Sequence, residues 1–247
     1  MSVWVFAICH NDIAILPWWL KHYSEFADKI LVWDDDSTDG SKELLAASPR
    51  VELFRWPHNT GLDEDAILEF AISAYPMAQG KADWVIWADC DEFIYDPNIL
   101  AVLEKEKADG IQLIQTAGFN MTGDGVPPFR GKRQLWEIRQ QGVRSNIYAK
   151  PVVFDPARYV RWNRGKHAIV ETNAKLSDGP KLKLLHYRYM GYSYTAFKNA
   201  KNYSRVGLLS GEKAHAWSCA PTYTGEHSPE WSEIAKGQSI NAVEAPL

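Results

Sequence analysis

The sequence has little cysteine, no excess of basic residues and no long apolar run, and each absence excludes a class of protein. Its 247 residues include three cysteines, Cys9, Cys90 and Cys219, without a Cys-x-x-Cys spacing. An odd, unclustered set argues against a disulfide framework and against a cysteine zinc site, and it indicates a reducing, cytoplasmic location. The formal net charge of −4 gives no basic surface of the kind that binds a phosphate backbone, so we expect no nucleic-acid partner.

No stretch approaches the roughly 18 to 20 apolar residues that a membrane span requires. The first twelve residues hold a short apolar run without a basic leader, and we expect a buried strand there and no signal peptide. A membrane-linked partner would then be met only at the surface. The composition, with 46% hydrophobic and 23% charged residues, is that of a protein able to bury a core, and we predict a single domain over residues 1–247.

Apolar runs that end in polar clusters alternate with segments of helical periodicity, which is typical of an α/β fold. We predict a mostly parallel sheet with helices on both faces. The predicted strands are Val3–Cys9, Lys29–Trp33, Val51–Trp56, Trp84–Ala88, Ile111–Thr116 and Ile147–Phe154. Predicted helices begin near Leu16, Lys42, Leu62, Asp96 and Tyr194. The Gly- and Pro-rich stretch Gly118–Gly142 indicates a long loop or lid, and the residues beyond Gly211 an irregular tail.

Two carboxylates, Asp89 and Asp91, follow the predicted strand Trp84–Ala88. Ligands of such sheets lie beyond the carboxyl ends of the strands, where these acids fall. Mg²⁺ and Mn²⁺ take one or two protein carboxylates and complete their shell with water and phosphate oxygens. The pair therefore predicts a divalent cation site, and the alternative is a solvated strand end.

Three acids, Asp34, Asp35 and Asp36, end the second predicted strand in the same way. Acids at this position of doubly wound folds accept hydrogen bonds from ribose hydroxyls or base N–H groups. We predict that Asp35 contacts a nucleotide, whereas Thr38 and Asp39 are candidates for a helix cap.

Four motifs in order resemble the family 2 glycosyltransferases and related GT-A enzymes. They are His10-Asn11-Asp12, the run Asp34 to Gly40, Asn59-Thr60-Gly61, and Asp89-Cys90-Asp91-Glu92-Phe93. The likeness covers roughly the first 100 residues. The turn Asp35-Asp36-Ser37 departs from the usual Asp-Asp-Gly-Ser, and the second half shows no clear Glu-Asp or Gln-x-x-Arg-Trp signature.

The resemblance implies a GT-A fold with a nucleotide-sugar half, residues 1–116, an acceptor or lid half, residues 117–210, and a tail, residues 211–247. It implies transfer from a UDP-sugar or similar donor to a glycan or lipid-linked acceptor, with Mn²⁺ or Mg²⁺ held through Asp91 and with Asp89 nearby, and it favours inversion at the anomeric carbon. The predicted donor-binding residues are His10, Asn11, Asp34, Asp35, Asn59, Asp89, Lys150 and Arg188.

The second half also looks similar to a smaller branch of these transferases, through Lys150, His167 and the segment Leu185–Tyr189. A late histidine often returns to the metal in GT-A enzymes, and His186 is the natural candidate, with His167 as the alternative. Arg188 or Lys198 can neutralise a diphosphate. A core or surface histidine is the competing interpretation of His186.

Inversion requires a base that removes a proton from the acceptor hydroxyl. The candidates are His167, Glu171, Asp124 and Glu137, and the residue pattern does not choose among them. Two other functions remain open from the sequence. A sugar-phosphate nucleotidyltransferase would share the crevice and the metal, but it would have a Gly-rich basic loop after the first strand, which His10-Asn11-Asp12 lacks. The other is a carbohydrate-binding protein on an inactive transferase scaffold.

Overall fold

The computed structural model describes residues 1–57, 63–206, 234 and 237–247. The helices are α1 (Leu16–Ser24), α2 (Ser41–Ala46), α3 (Glu64–Ala74), α4 (Ile99–Ala108) and α5 (Tyr192–Val206). The strands are β1 (Val3–Cys9), β2 (Lys29–Asp34), β3 (Val51–Arg55), β4 (Trp84–Trp87), β5 (Glu92–Tyr95), β6 (Leu113–Thr122), β7 (Gln141–Arg144), β8 (Val153–Phe154), β9 (Val160–Trp162), β10 (Ile169–Thr172), β11 (Leu176–Tyr189) and β12 (Ile240–Asn241).

The first half of the described chain builds the parallel part of the sheet. Strand β1 lies between β2 and β4, with β3 beyond β2, and all four run parallel. Val5 of β1 is opposite Ile30 on one side and Ile86 on the other. These strands are continuous apolar runs because both faces of the sheet are covered. Their carboxyl ends therefore meet at one edge, as predicted.

The second half adds antiparallel strands to the same sheet. Strand β8 runs antiparallel to β4 and β6, and β7 and β12 extend the sheet beyond β6. The long strand β11 pairs in parallel with β6 and antiparallel with β5. Residues of β5 and β11 therefore lie beside the end of β4, which brings late parts of the chain to the predicted site.

Helices cover both faces of the sheet, which confirms the predicted α/β layers. On one face α1, α2 and α4 contribute Trp19, Leu45 and Leu103 to a buried cluster. On the other face α3 packs with Trp33 and Trp87, whose rings stack with centroids 6.2 Å apart. No described helix is long and apolar enough to cross a membrane.

Several predicted element boundaries are wrong. Residues 118–122 belong to the buried strand β6 and not to a loop, because Gly118 lets the backbone of residues 145–149 approach closely. Only Val153–Phe154 of the predicted strand Ile147–Phe154 is a strand. The N-cap position of α4 is Asn98, which makes no side-chain cap hydrogen bond, and not Asp96, whose carboxylate instead accepts the Asn98 N–H. Strands β5 and β11 were not predicted.

The predicted irregular tail lies largely outside the described residues, although its last part pairs with β7 through β12. Cys219 and the motif Asn59-Thr60-Gly61 also lie outside the described residues. The division into residues 1–116, 117–210 and 211–247 stays a prediction.

Candidate functional site

One cavity lies beyond the carboxyl ends of β1 and β4, bordered by the end of β11 and by α5. Eight of the residues predicted from the sequence line it: His10, Asp89, Asp91, Lys150, His167, His186, Arg188 and Lys198. Six basic side chains reach this cavity and face acids at the strand ends. The cavity is therefore both strongly polar and nearly balanced in charge.

Asp89, directly after β4, is held by two lysines. Its Oδ1 lies 3.0 Å from the Nζ of Lys166, and its Oδ2 lies 3.7 Å from the Nζ of Lys150. Burial would raise the pKa of Asp89, but the two ammonium groups outweigh it and lower this pKa to about 2. Lys166 reaches inward from a tight turn with left-handed backbone at two successive residues, Gly165 (φ 70°) and Lys166 itself (φ 59°). A left-handed lysine is uncommon, and such backbone is retained where the surrounding structure enforces it.

Lys150 also forms a buried ion pair with Glu92, the first residue of β5. Their side chains are 3% and 1% exposed, and Nζ lies 2.5 Å from the Glu92 carboxylate. The other Glu92 oxygen accepts the backbone N–H of Asp89 at 3.3 Å. The Thr116 hydroxyl fixes Lys150 by donating to its carbonyl at 2.8 Å. The pair thus positions the turn that carries Asp89 and Asp91.

Asp91 faces His186 of β11, with 3.9 Å between the carboxylate Oδ1 and the imidazole Nε2. The His186 Nδ1 lies 3.0 Å from Oδ1 of Asn120, and the ring of Tyr148 stacks on the imidazole with centroids 3.8 Å apart. Burial lowers the pKa of His186 to about 3, so the ring is neutral. We assign its proton to Nδ1, which donates to Asn120. The Nε2 lone pair then points toward a carboxylate oxygen without a proton between them.

This pair fits a divalent cation. Adjacent ligands of an octahedral ion with bonds of about 2.1 Å lie about 3 Å apart, so these two ligand atoms, which are 3.9 Å apart, would close by about 1 Å around the ion. A metal-bound histidine ordinarily donates its other N–H to an oxygen, as His186 does. Asp89 does not join this pair, because both of its oxygens face lysines.

Among the described residues, the group of three candidate ligand atoms within 4.8 Å is Cys9, Asp12 and Cys90. The spacing of these three residues along the sequence does not predict that their ligand atoms lie together. In that group the Asp12 carboxylate already holds two lysines.

Helix α5 presents three basic residues to the strand ends. The Nζ of Lys198 lies 2.8 Å from Asp12 and 2.8 Å from Asp91, and the Nζ of Lys201 lies 2.8 Å from Asp12. Arg205, one turn further, pairs with Asp35 after β2. Burial raises the pKa of Asp35 more than Arg205 lowers it. The structure thus places Asp35 beside the cavity with an arginine on its carboxylate.

Two further predicted donor residues, Asp34 and Asn11, brace the loop after β2 and do not line the cavity. Asp34 accepts the backbone N–H of Ser37 at 3.1 Å, and Asn11 accepts that of Thr38 at 2.7 Å. Both contacts stabilise the loop after β2, so they position Asp35. His10 lines the cavity, and its Nδ1 hydrogen-bonds with the carbonyl of Asp35.

Of the four candidate bases, only His167 lines the cavity. Its Nδ1 lies 2.7 Å from the Ile147 carbonyl, and burial lowers its pKa to about 4. Asp124 is 86% exposed and paired with Arg139. Glu137 caps its own short 3₁₀ turn by accepting the Gln134 N–H at 2.5 Å, and Glu171 is exposed on β10. The three acids serve local contacts or solvent, and the structure does not bring them to the cavity.

The cavity thus lies at the carboxyl ends of the strands of a mostly parallel sheet that helices cover on both faces. The model of the family described as "Glycosyl transferase family 2" matches residues 5–197. This match spans most of the chain, and the protein belongs to glycosyl transferase family 2. It is therefore a glycosyltransferase that uses a nucleotide-sugar donor. No curated protein matches the chain.

Solved structures are similar in outline only. Residues 1–349 of TarS from S. aureus are 14% identical, with a TM-score of 0.39 and coverage of 96% of this chain and 76% of that one. Mannosyl-3-phosphoglycerate synthase from Rubrobacter xylanophilus is 20% identical, with a TM-score of 0.36 over 48% of this chain and 40% of that one. The glucosyl-3-phosphoglycerate synthase of Mycobacterium tuberculosis, solved with Mn²⁺, UDP and phosphoglyceric acid, is also 20% identical, with a TM-score of 0.35 over 48% and 43%.

Sequence reasoning did not assign five residues of this site: Asp12, Glu92, Lys166, Lys201 and Arg205. A signal existed for the last two, because Lys198, Lys201 and Arg205 are spaced i, i+3 and i+7 and so share one face of a helix. Lys166 carries no such signal, since only its turn brings it to Asp89.

Proposed function

We propose that the protein transfers a sugar, with inversion, from a UDP-sugar to a hydroxyl of a glycan or lipid-linked acceptor, and that the reaction depends on Mn²⁺ or Mg²⁺. The observation that carries this proposal is the pairing of Asp91 with the neutral His186 across 3.9 Å, in the cavity beside Asp35. A cation ligand pair and a nucleoside acceptor at one sheet edge are what a nucleoside diphosphate requires. The proposal includes a cytoplasmic location. It also includes a nucleotide-sugar half at residues 1–116, an acceptor or lid half at residues 117–210, and a tail at residues 211–247.

The divalent ion would be held by Asp91 and His186. When bound, it supplies positive charge that stabilises the departing diphosphate. The protein's part is to orient these two ligands, His186 through Asn120 and Tyr148, and Asp91 through the turn fixed by Glu92. Asp89 would then hold Lys150 and Lys166 in place, and it would not be the main ligand of the ion.

Asp35 would accept a hydrogen bond from the base or ribose of the nucleotide. Lys150 and Arg188 line the same cavity and would neutralise the diphosphate. His10, which hydrogen-bonds with the Asp35 carbonyl, fixes the backbone at this point. The donor would then lie along the edge of the sheet from β2 toward β11.

His167 would remove the proton from the acceptor hydroxyl. Its Nδ1–H donates to Ile147, which leaves Nε2 as the acceptor atom, and the low pKa keeps the ring neutral. The negative charge of a bound donor would raise this pKa toward the value that favours proton transfer.

Calorimetric titration of UDP and of GDP, each with and without Mn²⁺, tests the proposal. We expect the wild-type protein to bind UDP only when Mn²⁺ is present, and Asp91→Ala to lose this binding. Lys105→Ala, an exposed surface change, is the control. Binding that is unaffected by metal and by Asp91→Ala contradicts the proposed site. Pyrophosphate release from a sugar phosphate and a nucleoside triphosphate would instead indicate a nucleotidyltransferase.

A further inference from the structure

One face of helix α5 holds three carboxylates at the strand ends. Lys198 bridges Asp12 and Asp91, Lys201 also contacts Asp12, and Arg205 pairs with Asp35. We call Lys198, Lys201 and Arg205 the basic face of α5. It contacts acids from three separate places along the chain, after β1, β2 and β4.

Two of these contacts fall on carboxylates that the proposed donor site needs. Lys198 lies 2.8 Å from Oδ2 of Asp91, whose other oxygen faces His186. Arg205 occupies an oxygen of Asp35, the predicted nucleoside acceptor. Both ion pairs are largely buried, with exposed fractions of 7% for Lys198 and Asp91 and of 13% for Arg205 and Asp35. Solvent therefore screens them little.

A ligand that needs an occupied group binds with reduced apparent affinity. The reduction equals the fraction of time for which the group is free, so a contact formed nine-tenths of the time weakens binding about tenfold. The ammonium of Lys198 lowers the negative charge that Asp91 offers to a divalent ion, and the guanidinium of Arg205 competes with the hydrogen-bond donors of a nucleoside. Neither competing group can diffuse away, because Lys198 and Arg205 both belong to helix α5 of the same chain.

We propose that Lys198 and Arg205 set the affinity of the donor site by occupying Asp91 and Asp35 in the donor-free protein. A bound cation displaces Lys198 from Asp91, and a bound nucleoside displaces Arg205 from Asp35. The freed ammonium and guanidinium groups then lie beside the donor phosphates. The basic face of α5 is thus an internal competitor of the cation and nucleoside. This inference rests on the proposed function, since it assumes that Asp91 and Asp35 bind the metal and the nucleoside.

Arg205→Gln shows whether Arg205 competes with the nucleoside for Asp35 or helps to bind the donor. The probe is uridine, because it has no phosphate for an arginine to hold. We expect Arg205→Gln to bind uridine about three- to tenfold more tightly than the wild-type protein does, as measured by calorimetry. Arg205→Lys should stay close to wild type. Arg55→Gln is the matched control, because Arg55 is 73% exposed and pairs with the neighbouring Asp36 at 3.6 Å.

Uridine binding that is unchanged or weaker in Arg205→Gln overturns the inference, since Arg205 would then support Asp35. Failure of every variant to bind uridine, while UDP binds with Mn²⁺, also overturns it. If neither UDP nor GDP binds to any variant, the failure lies in the proposed function. If GDP binds in place of UDP, guanosine replaces uridine as the probe.

Lys198→Met tests the other contact without any nucleotide. Titration of Mn²⁺ alone, followed by the loss of the free-ion electron paramagnetic resonance signal, should show about tenfold tighter binding than in the wild-type protein. The double variant Lys198→Met/Asp91→Asn should lose that gain. Equal or weaker Mn²⁺ binding by a Lys198→Met protein that retains wild-type circular dichroism contradicts the inference.

Discussion

Replacement of Lys150 by methionine tests the most deeply buried ion pair among the described residues of the site. Its ammonium lies 2.5 Å from the Glu92 carboxylate, and the two side chains are 3% and 1% exposed. Methionine fills a similar volume but leaves Glu92 buried without its cation. Breaking a buried pair by removing one partner costs about 3 to 5 kcal/mol, because the remaining charge is uncompensated. Burial already raises the pKa of Glu92, so the cost should shrink as the pH falls.

The assay is urea unfolding at pH 7, followed by tryptophan fluorescence and by circular dichroism. We expect Lys150→Met to lose about 3 kcal/mol or more, and the double variant Lys150→Met/Glu92→Gln to recover most of that loss. Lys105→Met is the matched control, since Lys105 also lies 2.5 Å from a carboxylate, that of Asp109, but is 70% exposed. A Lys150→Met protein as stable as this control, or a double variant less stable than the single one, would refute the reasoning.

Two further predictions concern the scaffold. His22 is buried with Nε2 2.9 Å from the Ile94 carbonyl, and burial lowers its pKa to about 4. The unfolded chain takes up this proton near pH 6.5, so the contribution to stability is complete above pH 6.5 and decreases by about 3 kcal/mol as the pH falls to 4. His22→Gln should show a shallower decline of melting temperature over that range, and an unchanged decline contradicts the assignment. Gly118→Ala places a methyl group 2.5 Å from the backbone of Ser145 and Ala149. It should destabilise the fold by about 2 kcal/mol or more in urea, and a loss below about 0.5 kcal/mol, the range of neutral surface changes, would show that this approach is not tight.

The parallel half of the sheet could be predicted closely because its signal is local. The predicted strand Val3–Cys9 matches β1, since an apolar run bounded by polar residues leaves little choice. The same argument located β2 and β4 to within one residue. It also located the carboxylates after them.

Strands whose burial depends on distant partners could not be predicted in this way. The first half of β11 contains Asp178, Gly179 and Pro180, and the continuously buried run is residues 182–187, between β5 and β6. Residues 118–122 have a loop-like composition, yet they pair with β7 and β11. In both places tertiary packing overrides local propensity.

The residues of the candidate site could likewise be predicted only in part. Asp91 was singled out from a strand end, and His186 and Lys150 through the family resemblance, and the structure brings them into one cavity. The acids Asp124, Glu137 and Glu171 were candidates on chemistry alone, and nothing in the local sequence could show that they lie elsewhere. Lys166 reaches Asp89 only through its left-handed turn, which composition does not reveal.

The most direct test of the central claim is donor turnover. Wild-type protein and Asp91→Asn are incubated with a panel of UDP-sugars, with and without Mn²⁺ and with water as the acceptor of the sugar, and the nucleoside diphosphate released is quantified. We predict UDP release from at least one donor that requires Mn²⁺ and falls by about 10²-fold or more in Asp91→Asn, as for the loss of a main electrostatic contact in a transition state. Equal release by the two proteins would contradict the claim that Asp91 holds the cation of a nucleotide-sugar donor site.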